Sequence, residues 1–180
     1  MTTIRAEAPP VHDTMRDDAW DAIVALDREH GQRLYGYALR LGVDSGRAAD
    51  LVQEVFLRLW RELGRGTVIA SPIAWTYRAL AHLAADDHRL RRRIAGLAAR
   101  LGDRTTRRAM DVESTERIAI WAQVDRLPDR QRQVVYLRYQ ADLSFDEIGH
   151  VMGIEPGAAR SYATAAHRTL RRKLVEGAER

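Results

Sequence analysis

Basic side chains near the C-terminal end of the chain have the types and spacing that bind phosphate groups. Between positions 160 and 173 the sequence has five basic residues and no acidic one. A second cluster, at positions 89–108, has eight arginines and the single acid Asp103. Each cation that neutralises a phosphate releases counterions, so such clusters favour a polyanionic partner. The alternative interpretation is a pair of solvated arginine-rich faces.

The element that would position the C-terminal cluster is a pair of short helices within residues 143–161. Ser144 and Glu147 have the spacing of a capping box at the start of the first helix. Apolar residues follow at helical spacing until Gly153, and Pro156 can begin the second helix. This is a helix-turn-helix pattern, whose second helix can enter a DNA major groove. The pattern favours DNA binding, although such a helix pair can also serve only to pack a small core.

A second set of chemically capable side chains lies along one face of the helix predicted to follow Ser71. The members are spaced by three or four residues: Trp75, Ala79, His82, Asp86 and Arg89. An aromatic ring and an imidazole, on a helix that continues into the arginines at 91–93, suit stacking on bases beside a phosphate-binding track. Trp75 could equally be a core residue, because large aromatic side chains are usually buried. We expect His82 and Arg89 to be exposed.

A third predicted helix, which starts at Asp44 or Ser45, has one apolar face and one charged face. Opposite the apolar stripe lie Asp50, Gln53, Glu54, Arg58 and Arg61. Asp50 and Glu54 share a face because they are four residues apart. Both occur in the early turns, where the helix dipole favours negative charge, so a structural role is the first interpretation of this pair.

The sequence does not arrange catalytic groups as an enzyme would need. Asp86, Asp87 and His88 are adjacent, so on a helix they point in different directions. We find no glycine-rich phosphate loop and no nucleophile–base pair. The chain contains no cysteine, which excludes disulfides and thiolate metal sites. We therefore predict a protein that is not an enzyme and that needs no cofactor and no metal.

The length and periodicity of the chain predict an all-α protein with two small helical domains joined by a flexible linker. The 180 residues can hold one ordinary domain or two small ones. The predicted segments are a disordered tail (1–16), an N-terminal helical bundle (17–93), a linker (94–114), a C-terminal helix-turn-helix bundle (115–175) and a tail (176–180). Within the first bundle we expect one helix to end near Gly31 and the next to end at Gly42.

Membrane insertion is not expected from this sequence. No apolar run approaches the roughly 20 residues that a membrane span needs, and the N-terminal residues lack the apolar core of a signal peptide. We expect a soluble, cytoplasmic protein.

Residues 20–174 resemble bacterial sigma factors of the sigma-70 family, specifically the extracytoplasmic-function (ECF) group. The resemblance rests on three blocks in order, ADLVQEVFLRLW (49–60), AWTYRALAHLAAD (74–86) and LPDRQRQVVYLRY (127–139), followed by the helix-turn-helix. It implies a subunit of RNA polymerase whose N-terminal unit docks on the core enzyme and melts the promoter −10 element. The C-terminal unit would read the −35 element.

The resemblance also implies roles for individual residues. Those matching the core-polymerase-binding surface are Asp50, Gln53, Glu54 and Arg58. Those in or beside the block that opens the −10 element are Trp75, Arg78, His82, Asp86, Arg89, Arg91, Arg92 and Arg93. Those that would contact the −35 element are Arg160, Ser161, Thr164, His167, Arg168, Arg171 and Arg172, the arginines after position 160 being suited to phosphates.

The chain departs from the family pattern in both DNA-binding blocks. Position 82 is His where the family usually has Asn. In the recognition helix Tyr162, Ala163 and Ala165 stand where Arg, Leu and Arg are more usual. Fewer side chains could then reach base edges, so sequence choice would rest more on positions 160, 161 and 164 and on DNA shape.

The partners implied by the resemblance are core RNA polymerase, promoter DNA and an anti-sigma protein, with a monomer outside complexes. Two other hypotheses use the same residues differently. A stand-alone regulator would bind DNA as a dimer through the C-terminal unit alone. A helical adaptor would bind acidic proteins through the arginine-rich linker.

Overall fold

The computed structural model describes residues 11–100 and 117–178, which form seven α-helices and no strand. The helices are α1 (Val11–Arg40), α2 (Ser45–Gly64), α3 (Pro72–Arg100), α4 (Arg117–Asp125), α5 (Asp129–Tyr139), α6 (Phe145–Met152) and α7 (Pro156–Ala178). The prediction of an all-α protein is confirmed. Among the described helices, none is both long and apolar enough to cross a membrane.

Side-chain caps fix the starts of α2, α3 and α6, as the sequence predicts. Asp44 accepts a hydrogen bond from the backbone N–H of Arg47 at 3.0 Å, and Ser71 Oγ accepts one from the N–H of Ala74 at 3.3 Å. At α6 the capping box is complete, because Ser144 and Glu147 each accept a hydrogen bond from the other's backbone N–H. These bonds satisfy N–H groups that have no partner within the helix.

The cap of α6 supports a stability prediction. Replacing Ser144 with Ala should lower the free energy of unfolding by about 1 kcal/mol, because the N–H of Glu147 loses its acceptor. Ser144→Thr, which keeps a hydroxyl, should lose much less. Urea unfolding followed by circular dichroism measures both, and equal stabilities for the Ala and Thr variants would contradict the assignment.

α1 differs from the prediction at its start and in its middle. It begins at Val11, inside the predicted tail, and continues through Gly31, where we expected a helix to end. A glycine inside a helix costs up to about 1 kcal/mol relative to alanine. The next turns bury Leu34 and Tyr37 in the core, and burying one large apolar side chain contributes about 1.5–3 kcal/mol. Packing therefore outweighs the local preference of the glycine.

Two helices reach into the predicted linker and the predicted C-terminal tail. α3 extends to Arg100, so the first part of the predicted linker is helical, and α7 extends to Ala178. Residues 1–10, the remaining linker positions 101–114, and 179–180 lie outside the described residues.

One cluster of buried side chains includes helices from both predicted domains. Tyr37 on α1 and Tyr136 on α5 stack with their ring centroids 5.5 Å apart and an interplanar angle of 22°. Leu80 on α3 and Ile148 on α6 belong to the same cluster. The two units therefore pack against each other, a contact that the sequence did not predict.

Candidate nucleic-acid interface

α2 buries its apolar face in the core, and its opposite, polar face is accessible to solvent. Asp50, Gln53 and Arg58 are exposed, and Glu54 is half-buried. Arg58 donates a hydrogen bond to Glu54 at 2.5 Å, and Arg47 lies 3.8 Å from Asp50. Both carboxylates thus lie at the surface, and these ion pairs are with arginines of the same helix. A basic partner could compete for them, since exposed pairs of this type contribute little to stability.

An ion-pair network ties the start of α2 to α3. Arg91 donates to Asp44 and lies 2.6 Å from Asp87, while Arg47 lies 3.2 Å from Asp87. The backbone N–H of Arg47 and the guanidinium of Arg91 hold the pKa of the Asp44 carboxyl below its ordinary value. The family resemblance implies that Arg91 binds DNA. In the structure its guanidinium forms ion pairs with the carboxylates of Asp44 and Asp87. Arg92 and Arg93 are exposed and better placed for phosphates.

The lowered pKa of Asp44 gives a pH-dependent prediction. A carboxyl whose pKa is lower in the folded state adds stability above its unfolded pKa, which is about 3.9, and loses it as the pH falls. Asp44→Asn can still cap α2 but loses the pair with Arg91. Wild type should therefore be more stable at pH 7 by up to about 1 kcal/mol, with the difference shrinking towards pH 3. A difference independent of pH in urea unfolding would contradict this.

The side chains predicted along one face of α3 change from half-buried to exposed along the helix. Trp75 is half-buried and packs against the core cluster. This position is intermediate between the core residue and the exposed base-stacking residue that the sequence allows. Arg78 is half-buried, whereas His82, Asp86 and Arg89 are exposed, as expected for His82 and Arg89. Asp86 and Arg89 form an ion pair at 3.2 Å. The exposed end of the face therefore carries polar groups next to the arginines at 92 and 93.

The same α3 face borders a cavity of about 510 Å³ between the two units. Arg78 and His82 line it from α3, and Arg130 and His150 line it from α5 and α6. An Arg78 guanidinium nitrogen lies 2.7 Å from His150 Nε2. Sequence reasoning missed Arg130 and His150, because no local pattern links them to a helix more than 40 residues earlier.

α6 and α7 form the predicted helix-turn-helix, and two glycines shape its turn. Gly153 ends α6 in the left-handed region at φ 63°, as predicted. Gly149 was not singled out from the sequence, yet a Cβ there would lie 2.7 Å from the carbonyl oxygen of Ile154. Only glycine allows this close approach of the turn to α6.

The outer face of α7 carries all the residues assigned to −35 recognition, and all are exposed. They are Arg160, Ser161, Thr164, His167, Arg168, Arg171 and Arg172. The Arg160 guanidinium lies over the Phe145 ring at 5.6 Å, and His167 lies 2.8 Å from the hydroxyl of Tyr139. Of the three positions in this helix that depart from the family pattern (162, 163 and 165), position 163 differs from the others. Ala163 is buried and faces the core. Its replacement of a leucine affects packing and not base reading.

Metal ligation finds no support in the described part of the chain. No group of three or more His, Asp or Glu side chains there is arranged to hold an ion. The site is therefore described by its cationic, aromatic and hydroxyl groups, which suit binding to nucleic acid.

Comparison with known families gives two matches in chain order. The description "Sigma-70 region 2" matches residues 26–94, and "Sigma-70, region 4" matches residues 124–172. The first covers the second half of α1, all of α2 and most of α3. The second covers α5, α6 and most of α7.

Curated relatives match over most of the chain. RNA polymerase sigma factor CarQ of Myxococcus xanthus is 32% identical over 163 residues, covering 89% of this chain and 94% of that protein. ECF RNA polymerase sigma factor SigL of Mycobacterium tuberculosis is 30% identical, covering 84% and 88%.

Solved structures share the fold at lower identity. CnrH, in complex with the cytosolic domain of CnrY, aligns with a TM-score of 0.59 and 22% identity over 92% of this chain and 95% of that one. RpoE of Bartonella quintana, in complex with the anti-sigma factor NepR, aligns with a TM-score of 0.60 and 19% identity over 83% and 96%.

Proposed function

The chain belongs to the sigma-70 family, in its extracytoplasmic-function group, and from this membership we propose how its helices divide the work of starting transcription. It is a sigma factor that binds core RNA polymerase and directs promoter recognition and transcription initiation. We propose that α2 provides the polymerase contact, α3 the −10 contact and α7 the −35 contact. The observation that carries this division is the exposure of every residue assigned to α7, together with the two regional matches.

The electrostatics of each surface fit its proposed partner. The accessible carboxylates of α2 suit a basic surface of the polymerase, and the arginines of α7 suit the phosphate backbone. On α3, Trp75 and His82 would stack on bases of the opened strand, with Arg92 and Arg93 on phosphates. Melting would then come from binding energy for unstacked bases, and we propose no covalent chemistry for the chain.

The setting follows from these partners. We propose that the protein acts in the cytoplasm, where core polymerase and promoters are found, and that it is a monomer outside complexes. An anti-sigma protein is also proposed as a partner. The support is that both solved relatives described above were captured with another protein, named an anti-sigma factor in one case.

The direct test is reconstitution of the purified chain with core RNA polymerase on a promoter library. We expect new transcription start sites that neither the core enzyme nor the chain gives alone, sharing elements near −10 and −35. No change in start sites would overturn the proposal. The same preparation tests the stand-alone regulator, which would leave a footprint on DNA as a dimer without polymerase.

A further inference from the structure

We propose that the cavity of about 510 Å³ beside α3 binds a small anion that carries several phosphate groups, such as an inorganic polyphosphate or a nucleotide. Two of its lining residues, Arg78 and His82, also belong to the proposed −10 surface. The anion site is nevertheless a property of the free chain, and it requires neither polymerase nor promoter DNA.

The first observation is that the cavity wall gathers basic side chains from three helices. Two guanidiniums and three imidazoles line it: Arg78, His82 and His88 of α3, Arg130 of α5 and His150 of α6. Asp129 is the one acid among the described residues that line the cavity, and its carboxylate is already paired with Arg132 at 2.6 Å. The wall therefore has a surplus of positive charge, which a bound anion would neutralise.

The second observation is that the two guanidiniums in the wall have no acidic partner in the part of the chain that the structure describes. Arg78 donates to His150 Nε2 at 2.7 Å, and Arg130 donates to the carbonyl oxygen of Met152 at 3.5 Å. By contrast, Arg91 further along α3 pairs with two carboxylates. A guanidinium has five N–H donors, so both groups in the wall keep donors for a ligand. Phosphate oxygens suit these donors because they can accept two parallel hydrogen bonds from one guanidinium.

The third observation is that contacts within the protein hold several of these groups in place. His88 bonds through Nε2 to the carbonyl oxygen of Leu41 at 2.7 Å, which fixes its ring at the wall. The contact between Arg78 and His150 fixes the relative positions of two further groups, with Nε2 as the acceptor because a guanidinium has none. Groups that are already ordered lose less side-chain freedom when a ligand binds.

The size of the cavity and the rest of its wall indicate the class of anion. Its volume lies within the range of about 300–1,000 Å³ that is usual for small-molecule sites. The cations lie on three helices, so a ligand with several phosphate groups can meet more of them than a single phosphate ion can. Leu41, Ala81, Ala85 and Met152 form an apolar part of the wall, which suits the base or sugar of a nucleotide.

Titration calorimetry on the full-length chain, with inorganic tripolyphosphate as the probe, tests the site. At fixed ionic strength we expect one tripolyphosphate to bind per chain. Arg130→Gln should weaken this binding by roughly ten- to a hundredfold, because a hydrogen bond from a charged group is lost. Arg126→Gln is the matched control. It makes the same change in charge at an exposed residue near the start of α5 that does not line the cavity, and it should bind like wild type.

Histidine resonances locate the bound anion without any substitution. The imidazole C–H signals of His82, His88 and His150 should shift in NMR spectra over the tripolyphosphate concentrations at which calorimetry shows binding. His30 and His167 do not line the cavity and serve as internal controls. His167 is the stricter control, because it lies on α7 among the arginines proposed to bind DNA. Both control signals should move only at higher concentrations.

ATP and adenosine, used as further probes, distinguish the two sources of the phosphate chain. Affinity for ATP that is no higher than that for tripolyphosphate would indicate an inorganic ligand. Tighter binding of ATP would assign the apolar part of the wall to the base and sugar, and so indicate a nucleotide. Adenosine should not bind, and adenosine that binds as tightly as ATP would overturn the role of the phosphates.

Three further results would each overturn the anion site. They are no binding of tripolyphosphate at about 1 mM, equal affinities of the Arg126 and Arg130 variants, and a His167 signal that shifts before those of the cavity histidines. All of these measurements use the free chain, so none of them bears on its action with core polymerase. Failure of the wild-type chain to redirect core polymerase would instead overturn the proposed function.

Discussion

Asp50→Lys combined with Glu54→Lys is expected to abolish stable association with core RNA polymerase while leaving the fold intact. Both carboxylates lie on the accessible face of α2, and their local pairs with Arg47 and Arg58 are single-helix contacts. The lysines would place positive charges against the basic polymerase surface proposed to bind α2. Such like-charge contacts cost several kcal/mol at an interface. A loss of about 3 kcal/mol corresponds to binding that is weaker by roughly a hundredfold.

A matched control separates this surface from general electrostatics. Asp17 and Asp21 are both exposed and are also four residues apart, but they lie on α1. Asp17→Lys with Asp21→Lys makes the same change in net charge. Titration of fluorescent protein with core polymerase at two salt concentrations gives the affinities, and thermal melting checks the fold. If both double variants weaken binding equally, the α2 face is not the polymerase contact.

The features that the sequence predicted correctly depend on residues close together in the chain. Asp44, Ser71 and Ser144 cap helices by accepting a hydrogen bond from an N–H three residues later. Gly153 ends α6 because only its own backbone angles matter there. Each of these patterns can be read within one turn of helix. The exposure of the assigned α7 residues follows in the same way from the helical period.

The features that were missed depend on residues far apart in the chain. Tyr136 meets the carbonyl of Arg33 across 103 positions, and Arg78 meets His150 across 72. No periodicity within a helix carries information about such pairs, so the packing of the two units was not predictable. The ion pair of Arg91 with Asp44 was not predicted for the same reason, since the two residues are 47 positions apart in the chain.

Local signals also failed where packing opposed them. Gly31 is a reasonable helix end by propensity, yet α1 continues through it towards the buried Leu34 and Tyr37. Helix propensity spans about 1 kcal/mol per residue, whereas burial of one large apolar side chain is worth more. Packing of Tyr37 against Tyr136 outweighs the smaller local cost of Gly31. The same packing positions the helices that form the candidate site.

Arg160→Ala is expected to weaken binding of the holoenzyme to its upstream element by about 1–3 kcal/mol and to relax the choice of base there. Arg160 is exposed at the start of α7, where a recognition helix contacts base edges. Its guanidinium lies over Phe145, which limits its freedom before DNA arrives. Affinities of the holoenzyme for promoters with single changes in the −35 element, measured at fixed salt, give both quantities.

Arg172→Ala is the contrasting variant, because Arg172 is exposed on the same helix but lies about three turns further along. A phosphate contact should weaken binding uniformly across promoter sequences and reduce the salt slope by about 1. Arg160→Ala should instead change the ranking of promoters, and melting curves should show that loss of the Phe145 contact leaves α7 folded. If the two variants weaken every promoter by the same factor, Arg160 binds phosphate, and base choice must come from Ser161, Thr164 or the shape of the DNA.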